Sequence, residues 1–158
     1  MTVVSASDRE AMRAALVEAR AALETGDVPV GAVVLDAQGR VIARGRNARE
    51  RDSDPTAHAE VVALREAGRA SGDWQLAGCT LVVTLEPCAL CAGAILAARV
   101  DRVVIGAWDE KAGAAGSVVD LLRERRLPYR VREVVAEVEA EESARLLRDF
   151  FSDRRLSL

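Results

Sequence analysis

Aromatic side chains are scarce in this chain. Among 158 residues, rings are carried only by Trp74, Trp108, Tyr129, Phe150 and Phe151. That is too few for the stacking platform that binds single strands without sequence preference. Cysteine is limited to Cys79, Cys88 and Cys91, and an odd, small set argues against a disulfide framework. Histidine occurs once, at His58, and lysine once, at Lys111; every other basic residue is arginine, spread along the whole chain. A dispersed excess of this kind reads as compositional bias rather than as a binding tract. Charges interrupt every apolar run well before the roughly 18 residues a membrane span needs. The opening MTVVSASDRE has no basic region followed by an apolar stretch. It does not read as a signal peptide, so a cytoplasmic protein is expected. The formal charge of −3 does not suit a non-specific coat on nucleic acid, and any such contact would need a local basic patch.

What is present is a soluble, globular composition, 50% hydrophobic and 30% charged. Residues 1–158 fit one domain, which buries roughly 70% of the surface of its unfolded chain. A capping-box pattern, Ser7 to Glu10, precedes Met12, Leu16, Ala19 and Leu23 at helical spacing, which predicts a helix over 8–25 ended by Gly26. Val30–Leu35 and Val41–Arg46 read as a hairpin around Asp36–Gly39. A polar segment, Asn47–Asp54, leads to Pro55 and a helix over 56–70. Thr80–Leu85 is nearly all apolar, as in a strand buried on both faces. Pro87 suits the first turn of a helix over 87–98. Val103–Ala107 and, more weakly, Val131–Val138 read as strands, with a glycine-rich loop at 111–117 between them. A charged helix over 140–155 closes the chain. This order implies a three-layer α/β/α domain around one mixed five-stranded sheet.

Chemistry concentrates in two short segments, His58-Ala59-Glu60 and Pro87-Cys88-Ala89-Leu90-Cys91, each at the start of a predicted helix. Residues two apart point to different sides of a helix, so His58 and Glu60 can reach one point only if it lies off the helix end. Cys88 and Cys91, three apart in a first turn, can share one metal. The simplest arrangement aims two helix N-termini at a common zinc, where their positive dipole ends favour thiolate over thiol. One imidazole and two thiolates suit zinc, and three protein ligands leave a fourth position for water, the pattern of a catalytic site. Zinc can lower the pKa of that water from about 15.7 to about 7. Glu60 then serves as the carboxylate that takes and returns protons rather than as a ligand.

Two other readings use the same residues. A structural zinc site would recruit Cys79 as a fourth ligand, but a strand rising about 3.3 Å per residue separates Cys79 from Cys88 by roughly 20 Å. Cys79 fits better as a small buried apolar residue. A redox pair at Cys88 and Cys91 would leave His58 and Glu60 without a role.

His-x-Glu followed by Pro-Cys-x-x-Cys is the signature of zinc-dependent nucleobase deaminases, and the likeness extends further. DVPVGAVV at 27–34, Asn47, DPTAHAE at 54–60, LEPCALCAGA at 85–94, RVVIGAWDEKAGAAGS at 102–117 and the closing Asp149-Phe150-Phe151 together resemble the bacterial tRNA-specific adenosine deaminases. These form a branch of the cytidine/deoxycytidylate deaminase-like superfamily. The catalytic motifs are shared by many deaminases; the 107–117 block is more particular to the tRNA enzymes. The resemblance implies a cytidine deaminase-like fold and one Zn2+ per subunit. It implies that the wobble adenosine of a tRNA anticodon is flipped into the site and converted to inosine with release of ammonia. In that picture Asn47 bonds the base edge, Val28, Pro29 and Val30 wall the pocket, and Asp109 and Lys111 lie beside flanking nucleotides or ribose. The partners implied are the anticodon stem-loop and a second subunit in a homodimer. Two positions depart from the family pattern: Pro128-Tyr129, where many relatives have Asn-His, and Trp108, where small or charged residues are common. On catalytic motifs alone, a deaminase of free guanine or cytosine, or of a nucleotide, remains an alternative. A non-catalytic zinc-stabilised binding protein would have no need of Glu60.

Overall fold

The computed structural model describes residues 3–156; Met1, Thr2, Ser157 and Leu158, the ends of the expected domain and two residues of the N-terminal reading, lie outside the described residues. The first helix, α1 (Ala6–Ala22), starts two residues before its predicted start. Its N-cap is Ser5, not Ser7: Ser5 Oγ accepts from the Asp8 N–H at 3.0 Å, and the Asp8 carboxylate accepts from the Ser5 N–H at 3.0 Å. Asp8 wins over Glu10 because its side chain also takes a two-pronged contact from Arg102, at 2.7 and 3.0 Å. A single 3-10 turn, Leu23–Thr25, carries the chain to Gly26, which ends it in the left-handed region as expected.

The hairpin forms as β1 (Gly31–Leu35) and β2 (Val41–Arg46). Then comes a four-residue helix, α2 (Arg49–Asp52), which the polar sequence gives no periodicity to reveal. Helix α3 (Ala59–Ser71) begins at His58 as N-cap, three residues later than 56. Strand β3 (Thr80–Leu85) feeds α4 (Ala89–Ala97). Pro87 lies before that helix rather than in its first turn, and Cys88 is the N-cap. Strand β4 (Arg102–Ala107), a short β5 (Glu133–Val135) and α5 (Ala140–Leu156) complete the chain.

The sheet order is β2-β1-β3-β4-β5. Strand β1 is antiparallel to both β2 and β3, whereas β3, β4 and β5 run parallel, so the sheet is mixed and five-stranded as predicted. Alternation along the strands divides the core into two layers. Val33, Val82 and Val104 pack with Met12 and Leu16 of α1 on one face. Ala32, Val34, Leu81, Val83, Val103 and Ile105 pack with Ala63 and Leu64 of α3 and Ile95 of α4 on the other. Gly45 makes the second layer close: a Cβ there would sit 2.4 Å from the Ala59 carbonyl oxygen and 2.5 Å from the Ala63 nitrogen. Only a residue without a side chain lets β2 lie this tightly on α3, and that contact fixes where the N-terminus of α3 points. No described helix is long and apolar enough to cross a membrane.

Candidate metal centre and deaminase site

The N-termini of α3 and α4 meet. His58 caps one and Cys88 the other, and Cys91 lies in the first turn of α4. His58 Nδ1 is 3.6 Å from Cys88 Sγ and 3.4 Å from Cys91 Sγ, and the three donor atoms lie within 4.8 Å of one another. A tetrahedral zinc with N at about 2.05 Å and S at about 2.3 Å requires N···S separations of about 3.6 Å. The donor set therefore fits zinc in chemistry and in spacing. Cys79 is not in this group; it precedes β3 at the other end of the strand, buried, with its carbonyl accepting from the Asp101 N–H at 3.3 Å.

The electrostatics favour a thiolate. Hydrogen bonds from Cys91 and then from His58 hold the Cys88 thiol down at about 3. The same pairing with Cys88, together with burial and the nearby Glu60 carboxylate, pushes Cys91 up. His58 is raised, first by its hydrogen bond to Cys88. Cys88 is thus the ready thiolate of the three, and binding of zinc would release the protons held by Cys91 and His58.

Glu60 lies in the first turn of α3, 4% exposed, with its carboxyl in hydrogen-bonding reach of Cys91. Burial pushes its pKa up, against the opposing pull of the Cys91 and His58 contacts. A buried carboxyl with a raised pKa, beside metal-ligand chemistry, holds its proton more readily than a solvated one, which suits a group that takes and returns protons.

The predicted substrate contacts fall into two groups. Val28, Pro29, Val30 and Asn47 gather beside the α3 terminus. Asn47 Nδ2 donates to the Val28 carbonyl at 3.1 Å, and its Oδ1 accepts from the Ala59 N–H at 2.9 Å. The amide thus braces the 28–30 segment against the helix that carries His58 and Glu60, with one N–H to spare. Pro29 and Val30 are buried, Val28 partly. Asp109 and Lys111 lie across from them, after β4. Asp109 Oδ1 accepts from the Lys111 and Ala112 N–H groups, at 3.1 and 3.2 Å, so it shapes its own loop; Lys111 is exposed.

Sequence reasoning missed the residue that holds this loop. Glu86, 2% exposed, accepts backbone N–H bonds from Asp109 at 2.9 Å, Ala115 at 3.2 Å and Ser117 at 2.9 Å. Gly113 makes room for it, since a Cβ there would come within 1.9 Å of Glu86 Oε2. The Pro87 carbonyl accepts from Ala114 N–H at 2.8 Å and closes the same loop onto the Cys88 segment. An acidic residue directly after a nearly all-apolar strand was the available signal. Asp27 was missed likewise: it is buried and accepts from Thr25 Oγ1 at 2.6 Å and from the Glu50 N–H at 2.7 Å, anchoring α2 to the start of the 28–30 segment.

Known proteins resemble this chain in sequence and fold. A family model for the cytidine and deoxycytidylate deaminase zinc-binding region matches residues 5–107. A tRNA-specific adenosine deaminase of Bacillus subtilis (strain 168) is 46% identical over 144 residues, which cover 91% of this chain and 88% of that protein. A tRNA(Ile)-lysidine synthase of Deinococcus deserti is 52% identical over 145 residues; these take in 92% of this chain but only 27% of that larger protein. A solved structure from studies of A-to-I editing by tRNA:A34 deaminases at the wobble position of transfer RNA superposes with a TM-score of 0.83. Its identity is 43%, over 87% of this chain and 99% of that one. The matched region and these relatives show that the chain belongs to the cytidine and deoxycytidylate deaminase family and carries that family's zinc-binding region.

Proposed function

We propose that residues 1–158 act as one zinc-dependent hydrolytic deaminase domain that converts the wobble adenosine of a tRNA anticodon to inosine and releases ammonia. The observation that carries the chemistry is the meeting of His58, Cys88 and Cys91 at two helix N-termini with Glu60 buried beside them. The likeness to tRNA-specific adenosine deaminases over most of the chain supports the substrate. In this reading His58 Nδ1 and the two thiolates hold one zinc per subunit, which when bound supplies a water polarised enough to be nucleophilic at neutral pH. Glu60 takes a proton from the water and delivers it to adenine N1 as the C6–O bond forms. Glu60 then carries the water's second proton to the amino nitrogen as the C6–N bond breaks. Inosine keeps the proton on N1, and the amino group leaves as NH3.

Val28, Pro29 and Val30 wall the pocket, and Asn47 offers its remaining N–H to the base edge. Asp109 and Lys111 lie on the side where flanking nucleotides pass. The enzyme works in the cytoplasm as a homodimer.

The test compares substrates. An anticodon stem-loop with adenosine at the wobble position is expected to be deaminated, while free adenosine, guanine and cytosine react poorly, because remote contacts supply the binding energy that positions the reacting atom. Efficient turnover of a free base, with no inosine in the stem-loop, would overturn the tRNA reading and leave the metal chemistry standing.

A further inference from the structure

Most arginines of this chain are matched to carboxylates across its surface, as in the Arg40–Asp36, Arg69–Glu66 and Arg126–Glu124 pairs. Three of the exceptions gather in one place. Beyond the C-terminal end of α4 lies a cavity of about 670 Å³ whose wall includes Arg99, Arg123, Arg125, Arg130 and Arg132 but only one acid, Asp101. Asp101 is already occupied: it pairs with Arg132 at 3.4 Å and accepts from the Gly78 N–H at 2.6 Å. Arg123 is matched to Asp120 at 2.8 Å. Among the described residues, Arg99, Arg125 and Arg130 have no carboxylate partner.

Arg99 is built in. It ends α4 at φ 64°, in the left-handed region that usually calls for glycine, and its guanidinium donates to the Leu96 and Ala97 carbonyl oxygens, each at 2.8 Å. Tyr129 stacks on it at 3.2 Å from ring centroid to Cζ. The hydrogen bonds and stacking hold this cation in place without cancelling its charge.

We infer that this cavity binds backbone phosphates of the RNA substrate, outside the site that receives the base; the inference rests on the tRNA reading above. A chain of net charge −3 repels a polyanion at long range, so capture needs a local cationic set. Guanidinium forks match phosphate oxygens two at a time, and three uncancelled forks around one cavity fit several phosphates better than one small anion. The placement also fits. Cys91 and Arg99 are eight residues apart, about 12 Å along a helix rising 1.5 Å per residue. A few base pairs of the A-form stem next to the anticodon loop cover that span.

The test uses full-length tRNA transcript, a seven-nucleotide anticodon loop and inorganic pyrophosphate as probes, with the double variant Arg125→Ser, Arg130→Ser. Both residues are exposed, so folding, zinc content and oligomeric state are expected to match the parent enzyme. The expected result is about tenfold weaker binding of tRNA at 0.1 M salt, read by fluorescence anisotropy, with a salt-dependence slope shallower by about 1–2. Binding and turnover of the short loop should stay unchanged. Equal tRNA affinity and equal slope in parent and variant would overturn the proposal. So would a loss confined to stabilisation by pyrophosphate, which would assign the cavity to a small anion. If the parent enzyme made no inosine in any RNA, yet the variant lost tRNA affinity as described, the activity reading would fail and the phosphate site would stand.

Discussion

The two ends of the parallel strands treat buried carboxylates in opposite ways. At the N-terminal end, Asp8 is 3% exposed and receives both prongs of Arg102, which also bonds Glu133 on the neighbouring strand. There the negative charge is neutralised by a cation. At the C-terminal end, Glu86 is held only by backbone N–H groups and Glu60 sits against thiols and an imidazole. Burial raises Asp8 as it raises Glu60, but the hydrogen bonds from Arg102 and Ser5 outweigh it and leave the Asp8 pKa lowered. For Glu60 burial prevails. One end uses a carboxylate as a fixed charge; the other keeps one whose proton can move. The fold is thus tied down by an ion pair at one end and carries the metal-ligand cluster at the other.

Substitutions at the two ends should separate activity from stability. The largest effect is expected for Glu60→Gln, with turnover down by about 10²–10⁴-fold as for loss of a general acid–base group. Metal analysis should still find about one zinc per chain, because the ligands are untouched. His58→Ala should instead lose the zinc and, since metal binding couples to folding, melt at a lower temperature. Next comes Glu86→Ala, which strips the acceptor from three buried or half-buried N–H groups and should cost about 1–3 kcal/mol or more. Hydrogen exchange at Asp109, Ala115 and Ser117 should quicken while zinc stays bound; unchanged exchange there would remove Glu86 from its place as the holder of the loop.

At the opposite end, Asp8→Asn is expected to lower stability by about 2–3 kcal/mol in urea unfolding, the low side of breaking a buried ion pair, because Arg102 is 26% exposed and keeps Glu133. Activity per folded molecule should not change. The pH dependence follows from the lowered Asp8 pKa. The contribution is fully present above the unfolded value of 3.8 and is lost as pH falls through the lower folded value, so parent and variant should converge in stability on acidification below that point. The smallest effect belongs to Cys79→Ser, about 1 kcal/mol for a hydroxyl buried without a set partner, with zinc content unchanged. Loss of zinc from a folded Cys79→Ser protein would bring back the four-ligand structural site.

How much of this was legible in the sequence follows the range of each interaction. The metal cluster was legible although His58 lies 30 and 33 positions from the cysteines, because Cys88 and Cys91 are three apart and both segments carry their own helix-start signals. The strands announced themselves by apolar runs, and their alternation set both faces of the sheet. The Asp8–Arg102 pair spans 94 positions and Glu86 reaches 23 to 31 positions ahead, so neither leaves a local pattern. Lacking the Arg102 contact, the cap at Ser5 lost out on paper to a better-known spelling at Ser7. The four residues of α2 are too few to show a period. The resemblance singled out Asn47 as a candidate site residue, but its brace to Val28 and Ala59 was not legible, because it depends on where three separate segments converge.

The most direct measurement of the central claim is mass spectrometry of oligonucleotides from an unmodified tRNA transcript with adenosine at the wobble position, incubated with the purified, zinc-loaded enzyme and, in parallel, with Glu60→Gln at the same zinc content. Inosine is expected at the anticodon wobble position with the parent enzyme and at most a trace with the variant. Equal inosine from both proteins, or none from the parent, would contradict it.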